Sequence, residues 1–91
     1  MNENYRKDES MAHLSFSETG RAQIQFRHPN GKRYTLRLGK VAKRLGESVL
    51  FRVRELVAAI RTGQSVSADT AAWLGNVTPQ LHDRLVRVGL A

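Results

Sequence analysis

The sequence predicts an α+β domain in which a three-stranded antiparallel β-sheet packs on one long α-helix, followed by two short C-terminal helices. Apolar and polar residues alternate in three short segments before residue 39, and apolar residues then recur at helical spacing from about 42 to 61. The length of 91 residues suits a single small domain. We therefore expect a disordered leader at 1–12, the sheet and long helix at 13–62, and a helical extension packed on them at 63–91.

Three segments have the period-two alternation of half-buried strands, and turn residues separate them. They are HLSFS at 13–17, AQIQFRH at 22–28 and KRYTLRL at 32–38. A two-residue turn between the second and third strands would mix polar and apolar side chains on both faces. A three-residue loop that ends in a left-handed Gly31 instead pairs residues whose numbers sum to 60, which sets Phe26 opposite Tyr34 and keeps one face apolar.

An apolar stripe at helical spacing predicts that the long helix covers the apolar face of the sheet, and Gly63 is a suitable stop. The stripe consists of Val41, Leu45, Val49, Val53, Leu56, Val57 and Ile60. Phe51 lies outside it, and we expect that side chain to contact the C-terminal segment.

Capping residues predict two further helices. Ser67 caps the first, which ends at Gly75, and Thr78 caps the second, in which Pro79 takes the first position. The second helix ends at Gly89, and four of its side chains are expected to point inward: Leu81, Leu85, Val86 and Val88.

The charge of the chain is concentrated in one region. Fifteen Lys and Arg against eight Asp and Glu give a net charge of +7. Residues 21–61 contain eleven of the bases and two of the acids, a local net charge of +9, and no acid lies between Glu18 and Glu47. Because this basic block also has a folding pattern, it predicts a surface that binds a polyanion rather than a disordered tail.

The outward side chains of the second and third strands are suited to reading DNA bases. They are Gln23, Gln25, Arg27, Arg33, Thr35 and Arg37, with no acid among them. In the major groove, arginine pairs with guanine, glutamine pairs with adenine, and threonine packs on the methyl group of thymine. A solvated sheet face is the ordinary alternative, but such faces usually mix charge signs, whereas the register sets Arg27 directly opposite Arg33.

Further basic residues around these strands are suited to DNA phosphates. They are Arg21, Lys32, Lys40, Lys43 and Arg44. The last three cluster where the third strand leads into the long helix, whose N-terminal amides and dipole favour anions.

Several function classes have no support in the sequence. The chain has no cysteine, which excludes disulfides, thiolate metal sites and thiol nucleophiles and fits a reducing compartment. His13, His28 and His82 lack metal-ligand spacing, and no serine is placed to complete a catalytic triad. No apolar run approaches the ~18 residues of a membrane span. We therefore expect a cytoplasmic protein without a metal site, cofactor or membrane association.

Two stretches carry a resemblance to a known family: HPNGKR at 28–33 and RYTLRLGKVAKRLGES at 33–48. Together with the β-β-β-α order, they resemble the N-terminal arm-type DNA-binding domain of tyrosine-family site-specific recombinases, the phage integrases. The resemblance covers residues from about 14 to 61. The capped C-terminal helices resemble a short extension found before the core-binding domain in some integrase-like sequences.

The resemblance implies a role in DNA integration and recombination. A three-stranded sheet of this kind enters the major groove of double-stranded DNA, and the six outward side chains would then be the base readers. Cleavage and rejoining belong to a catalytic domain for which this chain has no room; its only tyrosines are Tyr5 and Tyr34, and it has no His-x-x-Arg. We therefore expect a monomeric module that is not itself an enzyme, whose further partners are the catalytic and core-binding domains of a parent recombinase.

A protein-interaction domain is the alternative function, in which residues 65–91 dock on a partner subunit. Exposure of Trp73, Leu81 and Leu85 in the free domain would favour it, because they would form an apolar patch. A double-stranded RNA binder is a third possibility, although such modules usually have a helix before the sheet.

Overall fold

A computed structural model describes residues 12–91 of the chain. Its elements are, in order, β1 (Ala12–Phe16), β2 (Arg21–Arg27), β3 (Arg33–Lys40), α1 (Lys43–Thr62), α2 (Ala68–Asn76) and α3 (Pro79–Arg87). The predicted α+β architecture, with a three-stranded sheet, one long helix and two short helices, is confirmed. The predicted leader lies outside the described residues except for Ala12, which begins β1 and is fully buried.

Both hairpins of the sheet are closed by three-residue loops. Between β2 and β3, the amide of His28 donates to the carbonyl of Lys32 (2.8 Å), and the amide of Gly31 donates to the carbonyl of His28 (2.8 Å). Gly31 has a φ of 92°, the left-handed conformation that the sequence predicts. The loop between β1 and β2 repeats this geometry around Gly20, whose φ is 86°.

The three strands form an antiparallel sheet in the order β1-β2-β3. Phe26 lies opposite Tyr34 and Arg27 opposite Arg33, so the predicted register of β2 against β3 is confirmed. This register collects the apolar side chains of all three strands on the face that α1 covers.

The core lies between the apolar face of the sheet, α1 and the C-terminal segment. It consists of Ala12, Ile24, Phe26, Leu36, Val49, Val53, Leu56, Val57, Leu85, Val88 and Leu90. Leu45 and Ile60 were predicted to point inward, but they are 52% and 42% exposed. The helix turns the buried Gly46 toward Leu14 and Phe16 of β1, which leaves Leu45 at its flank, where it lines a groove toward the C-terminal helices. Ile60 lies near the C-terminal end of α1, which at 20 residues, about 30 Å, is longer than strands of five to eight residues.

The two C-terminal helices begin at the predicted caps. Ser67 Oγ accepts a hydrogen bond from the amide of Thr70 (3.2 Å), and Thr78 Oγ1 accepts one from the amide of Leu81 (3.2 Å). The first of these helices, α2, continues to Asn76, one residue past its predicted end.

The last helix, α3, joins the core through Leu85 and Val88, as predicted. Leu90, beyond the end of the helix, is also buried. Val86 was predicted to point inward but is 47% exposed. It lies about 100° around the helix from the fully buried Leu85, on the side that faces away from the core.

Arg52, rather than Phe51, connects α1 to the C-terminal segment. Phe51 is 61% exposed and stands outside the core, with the guanidinium of Arg52 lying 5.4 Å from its ring centroid. Arg52 Nη1 donates to Oγ1 of the fully buried Thr70 (2.9 Å). The Glu55 carboxylate accepts hydrogen bonds from the Thr70 hydroxyl and from the amide of Ser67 (2.7 Å). These hydrogen bonds, that of Thr70 first, hold the pKa of Glu55 below its usual value.

We expect Glu55→Gln to lower the free energy of unfolding near neutral pH, because a neutral amide replaces the carboxylate that accepts both hydrogen bonds. Since folding lowers the pKa of Glu55, this stabilisation is complete above the unfolded-state value near 4.5 and is lost as the pH falls through the folded-state value. Urea unfolding monitored by circular dichroism should show a lower free energy of unfolding for the variant near neutral pH, and this difference should disappear at acidic pH.

Glu47→Gln is the matched control, because Glu47 is exposed on the same helix. It should unfold at nearly the same urea concentration as the wild type near neutral pH. A difference of equal size for both variants, or one that persists in acid, would contradict a specific role of Glu55.

Candidate nucleic-acid interface

The face of the sheet opposite α1 carries polar side chains from all three strands, and we call it the polar face. Cross-strand pairing arranges its residues in rows, which are Arg27 and Arg33; His13, Gln25 and Thr35; Ser15, Gln23 and Arg37; and Arg21 and Lys40. The polar face contains no acid. All six residues predicted to read bases lie on it, so the structure brings them together on one surface.

Two residues of β1 on the polar face were not predicted to contact DNA. His13 lies opposite Gln25, and Ser15 lies opposite Gln23. Their alternation with the apolar residues of the same strand was the available signal. The antiparallel pairing of β1 with β2 makes them direct neighbours of the predicted readers.

The glutamines of the polar face hydrogen-bond to their neighbours through their side-chain oxygens. Arg37 Nη1 donates to Gln23 Oε1 (3.2 Å), and His13 Nε2 lies 3.2 Å from Gln25 Oε1. Each of these amide oxygens keeps a second lone pair, and the amide and remaining guanidinium N–H groups give the face many donors. Such a surface of donors matches the acceptor atoms of guanine and of phosphate.

A β-bulge in β3 determines where the predicted phosphate contact Lys40 lies. The register shifts by one residue between Ala22 and Gln23, so that Ala22 pairs with Gly39 and Arg21 with Lys40. Without the extra residue, strict alternation would place Lys40 on the apolar face. The bulge instead brings Lys40 beside Arg21 on the polar face. Gly39, with a φ of 76°, adopts the left-handed backbone conformation that glycine favours.

The five predicted phosphate-binding residues are all exposed, but they fall into two groups. Lys32 directly follows the three-residue loop at the hairpin end of the sheet. The other four lie at the opposite end: Arg21, Lys40, Lys43 and Arg44. The last two occupy the first turn of α1, which contains no acid and receives no side-chain cap from Ala42. The amides of that turn therefore add to the positive potential of Lys43 and Arg44.

Two further arginines donate to backbone carbonyls at the outer strands of the sheet. Arg54 Nη2 donates to the carbonyl of Ala12 in β1 (3.1 Å). Arg84 Nη1, on α3, donates to the carbonyl of Arg37 in β3 (2.8 Å). Arg84 thus reaches the border of the polar face from a helix that was predicted only as an extension.

No protein-family model, curated protein or solved structure matches this chain. Within residues 12–91, no group of three or more histidine, cysteine or acidic side chains is arranged to hold a metal ion. In the same part of the chain, no helix combines the length and the apolar character needed to cross a bilayer. The geometry and charge of the polar face therefore carry the functional information in this chain.

We expect Arg27→Gln to raise the free energy of unfolding by a few tenths of a kcal/mol, because it removes the like-charge pair with Arg33 directly opposite. Urea unfolding at low ionic strength should show the gain, and added salt should reduce it by screening the pair.

The matched control is Arg61→Gln, which removes the same charge from the last turn of α1, where a positive charge is favourable. It should give no gain. An equal gain for both variants would mean that only the net charge of the chain matters.

Proposed function

We propose that this chain is a DNA-binding module that inserts the polar face of its sheet into the major groove of double-stranded DNA. The observation that carries the proposal is a single sheet face bearing arginine, glutamine and threonine side chains with no acid among them. Each of these side-chain types has a partner on a base edge in the major groove.

The dimensions of the sheet support this proposal. Strands lie about 4.8 Å apart, so the outer strands of a three-stranded sheet are separated by about 10 Å. The major groove is about 12 Å wide and admits small β-structures. The exposed side chains of Gln25, Arg27, Arg33 and Arg37 would be the first to reach base edges.

The distribution of charge suggests a division of roles. The six predicted readers lie in the central rows and at the hairpin end of the polar face. Around them, Lys32 lies at one end of the sheet. Arg21 and Lys40 form a cross-strand pair at the other end, and Lys43 and Arg44 follow in the first turn of α1. Phosphate contacts at both ends would fix the orientation of the sheet, while the side chains between them read the sequence.

The proposal extends to the family that the sequence resembles. In a phage-integrase-like tyrosine recombinase, this module would bind arm-type DNA sites in the cytoplasm. The catalytic and core-binding domains of the parent protein would perform the chemistry, and the module itself would be a monomer without enzymatic activity.

A protein-interaction function is the second candidate, and one groove favours it. A cavity of about 430 Å³ between α1, the end of β3 and the C-terminal helices is lined by Leu45, Trp73 and Leu81. However, Leu85 is fully buried, and Trp73 and Leu81 are partly buried against the core, so these three side chains do not form the exposed apolar patch that this function predicts. In a chemical-shift titration with duplex DNA, DNA binding predicts that resonances of β2 and β3 move and that those lining the apolar groove do not.

Binding to duplex DNA should weaken steeply with salt. If the five basic residues at the two ends each contact one phosphate, the logarithm of the association constant should fall against the logarithm of salt concentration with a slope of about −4.5, since each phosphate contributes about 0.9. Fluorescence anisotropy with a labelled duplex over a range of salt concentrations measures this slope. Absence of binding, or binding that ignores salt, would refute the proposal.

Arg33→Ala and Lys43→Ala should affect different aspects of binding. Arg33→Ala should cost about 1–3 kcal/mol on a preferred duplex selected from a random pool and little on random DNA, because it removes a base contact. Lys43→Ala should weaken binding to both by a similar factor, because it removes a phosphate contact. Equal losses on both duplexes for both variants would contradict the assignment of the polar face to base reading.

A further inference from the structure

A groove of about 330 Å³ lies at the bulged end of the polar face, where the three strands meet α3. Three arginines from three different elements line it: Arg21 of β2, Arg37 of β3 and Arg84 of α3. The other polar residues that line the groove are Ser15, Ser17 and Gln23. No acid is among the lining residues, so the three positive charges share one concave surface without a carboxylate.

Hydrogen bonds to neutral acceptors hold two of these arginines in place. Arg84 Nη1 donates to the carbonyl of Arg37 (2.8 Å), and Arg37 Nη1 donates to Gln23 Oε1 (3.2 Å). A guanidinium has five N–H donors, so each arginine is positioned by one bond and retains further donors for a ligand. Since the acceptors are uncharged, these bonds leave the mutual repulsion of the cations in place, and an entering oxyanion would relieve it.

We propose that this groove is an oxyanion site that binds one phosphodiester group of the DNA backbone, with Arg84 and Arg37 as its principal ligands. The proposal rests on the proposed DNA-binding function and deepens it in two ways. It makes α3 part of the DNA interface, and it moves Arg37 from base reading to phosphate binding. Planar, multiply donating guanidiniums suit the phosphate group better than lysines do.

The experiment uses the full chain and two probes. In the first part, inorganic phosphate is titrated against chloride at constant ionic strength, and the amide and arginine side-chain resonances are followed by NMR. In the second part, the salt dependence of binding to a random duplex is measured for the wild type, Arg84→Gln, Arg84→Lys and Arg61→Gln. Arg61 lies in the last turn of α1, away from the groove, so Arg61→Gln controls for the loss of one charge.

The proposal expects phosphate to shift the resonances of Ser15, Gln23, Arg37 and Arg84 in the wild type and to lose this effect in Arg84→Gln. The salt slope should become shallower by about 0.9 in Arg84→Gln, because one phosphate contact is lost. It should be unchanged in Arg61→Gln and largely unchanged in Arg84→Lys, which retains the charge. A matching amide spectrum for each variant establishes that the fold is retained.

Three other outcomes would be decisive. If phosphate does not shift the groove resonances and the salt slopes of Arg84→Gln and Arg61→Gln agree, the groove is not an oxyanion site. A steep salt slope of the wild type would still support the proposed DNA binding. If phosphate binds but the two slopes agree, the site takes free oxyanions and the phosphodiester contact is refuted. If the wild type binds no duplex, both the proposed function and the phosphodiester contact are refuted. The phosphate titration then tests only whether the groove binds free oxyanions.

Discussion

Gly31, in its left-handed conformation, closes a three-residue loop, and the register of β2 against β3 follows from that loop. Because side chains alternate with a period of two, a slip of one residue would bury Arg27 and expose Phe26. The core under α1 and the polar face opposite it are therefore two results of the same constraint. The free energy gained by burying one face also determines which side chains are available to a ligand on the other.

Much of this fold follows from local signals in the sequence. The alternation in the strands, the loop chemistry at Gly31 and the caps at Ser67 and Thr78 act over a few residues, and each is present in the structure as predicted. Features that depend on tertiary packing could not be predicted from these local signals. The exposure of Ile60 depends on how far α1 extends beyond the sheet, and the exposure of Val86 on how α3 is oriented against the core.

The candidate site also has a part that local sequence signals predict and a part that depends on tertiary packing. The six predicted base readers share one face because strand alternation requires it. The contribution of Arg84 depends on the docking of α3 against β3, which no local pattern encodes, and the neighbourhood of Lys40 depends on a bulge in pairing. Arg54 and Arg84 also donate to carbonyls of the two outer strands, so both arginines help to hold the sheet together.

The bulge between β2 and β3 has a consequence for shape as well as for the position of Lys40. An extra residue in one strand bends that strand and increases the local right-handed twist of the sheet. The wall of a DNA groove is itself a right-handed helical surface, so a flat sheet would touch it over a short length and then diverge. In the proposed complex, a twisted sheet would follow that curvature, and the single inserted residue would then contribute to the number of base pairs that the module spans.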